Sequence, residues 1–175
     1  MNRRSLVATA SVALLSAWLF PAVAEDFVDI VDFAPSGRPQ GKRHQQKIRK
    51  SLTEWRAELT PLAFEVTRES GTERAFTGPG WNNHRDGLYR CICCDTALFD
   101  SQTKFESGTG WPSFFRPIAR ENVHESRDSS LFEVRTAVSC TLCDAHLGHV
   151  FGDGPRPTGL RYCMNAAALK FVPRG

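Results

Sequence analysis

Apolar residues fall along this chain in three textures. Residues 6–20 are almost unbroken hydrophobics. Between residues 25 and 50 apolar positions are scattered among Pro35, Gly37, Pro39 and Gly41, a composition that predicts an extended linker. Two short helical patterns follow. Residues 51–59 are amphipathic with Ser51 or Thr53 as cap; a second helix has Thr60 as cap, Pro61 at its first position and Gly71 as its stop. Past Gly71 the period changes to short β-rich runs at 87–92, 131–140 and 168–172, broken by turns such as Gly78-Pro79-Gly80 and Gly154-Pro155. The pattern predicts a mainly β (α+β) domain over residues 51–175, its strands mostly antiparallel and its short helices at the N-terminal edge.

The first texture reads as an export signal. Arg3 and Arg4 give a charged start, residues 6–20 an apolar stretch, and Ala22-Val23-Ala24 a small-residue cleavage site, so residues 1–24 form a signal peptide and Glu25 begins the mature chain. The paired arginines also suit the twin-arginine route. An uncleaved anchor is the competing reading, because residues 5–24 carry no charge and approach spanning length. Pro21 and the A-x-A site favour cleavage. The expectation is an exported, periplasmic protein with no stable membrane association once cleaved.

Charge excludes one class of function. The net charge is +3, and with Arg3 and Arg4 in the signal the remainder holds 20 basic against 19 acidic residues. A nucleic-acid binder would show a clustered basic face. The basic run at 42–50 reads as a solvated segment.

Six cysteines carry the chemistry. Four form matched pairs, Cys91-x2-Cys94 and Cys140-x2-Cys143, and each two-residue gap lets a tight turn aim two thiolates at one point. The pairs are separated by 45 residues, so they belong to different parts of the fold and a metal would clip them together. Four thiolates leave no open coordination position, which fits structural zinc and argues against a zinc hydrolase. Two disulfides or a redox-active C-x2-C are the alternatives. Cys93, inside the first pair, is expected to point away from the metal by strand alternation. Cys163 stands alone in Arg161-Tyr162-Cys163-Met164-Asn165. Arg161, two residues away on the same side of a strand, would lower its pKa, Asn165 could donate to a substrate oxygen, and His146 and His149 lie just past a knuckle.

Several longer motifs then fall into place. Residues 107–114 (SGTGWPSF), 146–151 (HLGHVF) and 161–165 (RYCMN) resemble the signatures of the methionine sulfoxide reductase B family, and the resemblance extends from Leu59 to Phe171. It implies two antiparallel sheets, a structural Zn2+ held by Cys91, Cys94, Cys140 and Cys143, and reduction of the R epimer of methionine sulfoxide, free or in oxidised proteins and peptides. By the same resemblance Cys163 is the nucleophile that becomes a sulfenic acid. His146, His149 and Asn165 serve the departing oxygen, Trp111 and Phe151 form an apolar wall, and Asp153 orients a histidine.

The chain departs from the family pattern at one chemically important position. Many members place a resolving cysteine where this chain has Thr109. Threonine forms no disulfide, so the expected reductant is a thioredoxin-like protein or another thiol, with Cys93 as the internal alternative.

Overall fold

A computed structural model describes residues 26–129 and 134–174. The expected signal peptide, residues 1–24, lies outside the described residues. Within them no helix is long and apolar enough to cross a membrane.

The segment expected to be a linker is a β-hairpin: β1 (Phe27–Phe33) pairs antiparallel with β2 (Pro39–Gln46). Only β1 carries an apolar pattern, with Ile30 and Phe33 buried, whereas β2 (PQGKRHQQ) has no hydrophobic residue to announce a strand. Its turn uses the Pro and Gly residues that suggested a linker. The hairpin is docked by charge and by one buried amide. Lys42 pairs with Glu121 at 2.7 Å and Lys47, just past β2, with Asp144 at 2.6 Å. Asn122 Oδ1 accepts from the Val31 N–H, and its Nδ2 donates to the carbonyls of Val31 and Ala97, each at 2.8 Å.

The helices follow the sequence signals. Helix α1 (Leu52–Glu58) starts at Ser51 with a reciprocal capping box to Glu54. Helix α2 (Pro61–Arg68) starts with the Thr60 hydroxyl accepting from the Ala63 N–H at 3.2 Å. Its inward face buries Ala63, Phe64, Val66 and Thr67.

Nine further strands form two antiparallel sheets. They are β3 (Gly87–Cys91), β4 (Ala97–Asp100), β5 (Lys104–Phe105), β6 (Ser113–Phe114), β7 (Val123–Asp128), β8 (Arg135–Cys140), β9 (His146–Phe151), β10 (Arg161–Met164) and β11 (Leu169–Pro173). One sheet has the order β11-β3-β4 and the other β5-β6-β10-β9-β8-β7. Their facing aromatics make the core. Phe99 of β4 stacks on Phe114 of β6 at 4.5 Å, and Tyr89 of β3 meets the same ring edge-on at 5.0 Å. Strand β7 escaped the sequence reading because VHESRD is almost wholly polar and exposed, and it is a strand by pairing with β8.

Candidate functional site

The two C-x2-C pairs end β3 and β8, one on each sheet. Their turns are built alike: Asp95 N–H bonds Cys91 O and Asp144 N–H bonds Cys140 O, both at 2.9 Å. Asp95 and Asp144 both take a left-handed conformation, which aspartate tolerates better than most residues. The four sulfurs lie within 4.8 Å of one another, with Cys91–Cys143 at 3.7 Å and Cys94–Cys140 at 3.5 Å. A tetrahedral ion with ligands at about 2.3 Å needs sulfurs roughly 3.8 Å apart, so the set fits a metal. A disulfide would need about 2.05 Å, and all six cysteines are free thiols. Hydrogen bonds from Cys140 and its neighbours hold the Cys94 thiol far below the ordinary range, and those from Cys140 and Cys91 pull Cys143 down to about 4. Sulfurs this crowded share protons that a cation would replace.

Cys93 stays outside this four-sulfur group, though not by strand alternation. Residues after Cys91 are a turn, where strand alternation does not apply, and the Cys93 thiol donates to Thr67 Oγ1 of α2 at 3.5 Å. Arg68 completes this side. Its guanidinium donates to the Cys143 carbonyl at 2.8 Å, reaches Cys143 Sγ at 3.6 Å, and stacks 4.0 Å over the Trp55 ring.

The second constellation surrounds Cys163, in the middle of β10. A pocket of about 130 Å³ is lined by Thr72, Trp111, Arg135, Gly148, His149, Phe151, Cys163 and Asn165. Larger surface clefts of about 490 and 460 Å³ contain no cysteine, so chemistry rather than size selects the small one. Cys163 is the register partner of His149 on β9. Strands β9 and β10 approach closely at Gly148, where any Cβ would sit 2.2 Å from the Cys163 carbonyl oxygen. Only glycine permits this.

Burial pushes the Cys163 thiol up, and the Thr109 hydroxyl, then the Arg161 charge, pull it back only in part. The expected lowering by Arg161 is therefore present but outweighed. The Arg161 charge is itself shared, because its guanidinium makes a bidentate pair with Asp153 at 2.9 and 2.7 Å and lies 4.5 Å over the Phe151 ring.

That pairing moves Asp153 away from the histidine role expected of it. His149 is oriented instead by Asp128, whose Oδ2 lies 2.8 Å from His149 Nε2 and also 2.8 Å from Arg135 Nη2. A carboxylate only accepts, so Nε2 carries the hydrogen of this bond. Neither Asp128 nor Arg135 was singled out from the sequence; their role depends on β7 and β8 pairing beside β9. His146 lies behind His149 with ring centroids 5.3 Å apart, and burial, then the His149 charge, push it down to about 4. Asn165 is buried and held at both ends of its amide. Its Oδ1 accepts from the Glu73 N–H at 3.0 Å and its Nδ2 donates to the Leu147 carbonyl at 3.1 Å, leaving one N–H uncommitted. Trp111 lines the pocket with its Nε1 donating to the Glu73 carbonyl at 3.1 Å.

A lone thiol in a small pocket, beside an oriented imidazole and an arginine, suits a nucleophilic cysteine of thiol-dependent redox chemistry. The SelR domain model matches residues 59–173. The chain is 59% identical over 129 residues to a peptide methionine sulfoxide reductase MsrB of Pseudomonas putida (strain W619), covering 74% of this chain and 97% of that protein. It is 60% identical over 121 residues to the chloroplastic peptide methionine sulfoxide reductase B1 of Arabidopsis thaliana, covering 69% of this chain and 59% of the relative. The chain belongs to the SelR-domain family, the methionine sulfoxide reductases of type B. Hairpin β1–β2 lies outside the segment that the family model matches.

Proposed function

We propose that this protein reduces methionine-R-sulfoxide, in oxidised proteins or as the free amino acid, through a sulfenic acid on Cys163. The observation that carries the reading is the position of Cys163 in a pocket bounded by Trp111, Phe151 and His149, with a volume suited to one methionine sulfoxide side chain. Trp111 and Phe151 give the S-methyl group an apolar wall. The Cys163 thiolate attacks the sulfoxide sulfur. The sulfoxide oxygen takes up one proton as it passes from sulfur to the cysteine, supplied by the His149 and His146 pair directly or through water, while Asn165 Nδ2 donates a hydrogen bond to that oxygen. The sulfoxide gains two electrons and leaves as methionine; Cys163 loses two and becomes the sulfenic acid. Two external thiols then return Cys163 to its thiol, forming one disulfide and one water. Thr109 cannot supply either thiol, and Cys93 is tied to the four-cysteine cluster, so the electrons come from a thioredoxin-like dithiol or a small thiol. Cys91, Cys94, Cys140 and Cys143 hold a structural Zn2+, whose role is to bridge the two sheets. The repair takes place after export, in the periplasm.

Epimer-resolved reduction of methionine sulfoxide with dithiothreitol tests the reading. Wild type should consume the R epimer, and Cys163→Ser should be inactive. Consumption of the S epimer alone, or an active Cys163→Ser variant, would overturn it. Metal analysis of the purified protein tests the zinc assignment, and cell fractionation with N-terminal sequencing tests export and cleavage before Glu25.

A further inference from the structure

Glu73 is a buried carboxylate that the chemistry above does not use. It is 2% exposed, and burial raises its pKa. Among the described residues no cation pairs with it. A carboxylate in such a place is costly unless its hydrogen bonds are complete, and these come from the backbone alone. Oε1 accepts from the Ala166 N–H at 2.6 Å and Oε2 from the Ala167 N–H at 2.8 Å. These are the first free donors of the 3-10 turn Ala166–Ala168, which begins two residues after β10 ends. The natural cap for that turn is Asn165, but its side chain makes no capping bond. Glu73, from a segment 92 residues earlier, caps in its place and leaves the Asn165 amide to bind elsewhere. Gly78 closes over the carboxylate, since a Cβ there would lie 2.3 Å from Glu73 Oε1.

The backbone of the same residue holds two parts of the pocket. Its N–H donates to Asn165 Oδ1 at 3.0 Å, and its carbonyl accepts from the Trp111 indole at 3.1 Å. Asn165 in turn bonds the Leu147 carbonyl through both its backbone N–H and its Nδ2, fixing the end of the nucleophile strand against the histidine strand. We infer that Glu73 is a positioning residue: its side chain, anchored on Ala166 and Ala167, sets the place of a peptide unit that fixes the Trp111 ring and the Asn165 amide relative to Cys163. This inference rests on the proposed sulfoxide chemistry for its kinetic consequence, but not for its structural one. Glutamine is the discriminating replacement. Its carbonyl oxygen can accept one of the two N–H groups, while its NH2 confronts the other, so it restores half of the anchor.

The test compares Glu73→Ala and Glu73→Gln with wild type by steady-state kinetics and by the emission of Trp111, isolated by subtracting the same protein carrying Trp111→Phe. The expected result is a KM for methionine-R-sulfoxide raised about tenfold in Glu73→Ala and about threefold in Glu73→Gln. Trp111 emission should shift to the red in the same order as its ring gains water. If Glu73→Ala does not fold, Glu73→Gln carries both readouts alone. A variant with a lower Tm but unchanged KM and unchanged Trp111 emission would show a merely structural carboxylate and overturn the inference. If wild type lacked reductase activity, the sulfoxide reading would fail, yet the emission shift would still decide whether Glu73 positions Trp111.

Discussion

Thr109 Oγ1 lies 3.8 Å from Cys163 Sγ, and its hydroxyl is the strongest of the groups that oppose burial at that thiol. The Thr109 hydroxyl also meets Ser107 Oγ at 2.8 Å, and Ser107 meets the buried Ser113 Oγ at 2.7 Å. A residue at this place faces the sulfur whose oxidation is proposed, so its side chain would decide how that oxidation ends. Turnover without added reductant should leave wild type with one sulfenic acid per chain, trapped on Cys163 by dimedone, and with no intramolecular disulfide. In Thr109→Cys a second sulfur replaces the hydroxyl. That variant should lose two hydrogens per turnover to a disulfide between the introduced sulfur and Cys163, read by non-reducing mass spectrometry. A disulfide involving Cys163 in wild type would contradict the assignment of an external reductant.

The Arg161 guanidinium opposes burial at the thiol. Removing it in Arg161→Gln should raise the pH at which Cys163 is alkylated by iodoacetamide and slow alkylation several-fold at pH 8. The direction follows because a cation favours the thiolate, and its loss leaves desolvation less opposed. Asp153→Asn should act oppositely by freeing the guanidinium from its carboxylate partner. Identical alkylation profiles for the three proteins would remove Arg161 from control of the thiol.

The legibility of this chain varied with the kind of signal. The metal knuckles, Cys163 and both helix starts are local patterns, and Ser51, Thr60 and the C-x2-C spacing expressed them within a few residues. Strands β2 and β7 were illegible because their pairing, rather than their own apolar content, makes them strands. The partners of the site residues were least legible. Asp128 meets His149 only because β7, β8 and β9 lie side by side, and Asp153 is drawn to Arg161 because β10 delivers a guanidinium beside it. Cys93 stays out of the four-sulfur group by meeting Thr67 on α2; a knuckle is a turn, and a period-two argument does not apply there.

His146 should make the domain acid-labile. Burial holds its folded pKa at about 4 against an ordinary 6.5, with the charges of His149 and Arg135 opposing protonation and Asp128 favouring it. The unfolded chain therefore binds the proton more readily, and the contribution of neutral His146 is complete above about pH 6.5 and lost as pH falls toward 4. The full effect is on the order of 3 kcal/mol. Between pH 7 and pH 5 wild type should lose roughly 2 kcal/mol more than His146→Gln, a gap of several degrees in Tm. Parallel Tm curves for the two proteins would show that His146 is not the titrating group.

The metal site predicts a separate role for Arg68. Four thiolates around one dication would carry a net charge of minus two, and Arg68 is a cation in contact with them, 3.6 Å from Cys143 Sγ and stacked on the Trp55 ring. Replacing it with methionine keeps most of the packing on Trp55 and removes the charge. Metal transfer to a chromophoric chelator should then run about tenfold faster, the lower end of what outer partners of metal ligands contribute. Complete removal of the metal should unfold much of the domain in either protein, because the knuckles join two sheets whose ligand pairs are 45 residues apart. Transfer at the same rate from wild type and Arg68→Met would mean that the guanidinium serves the Cys143 carbonyl, which it bonds at 2.8 Å, and not the metal.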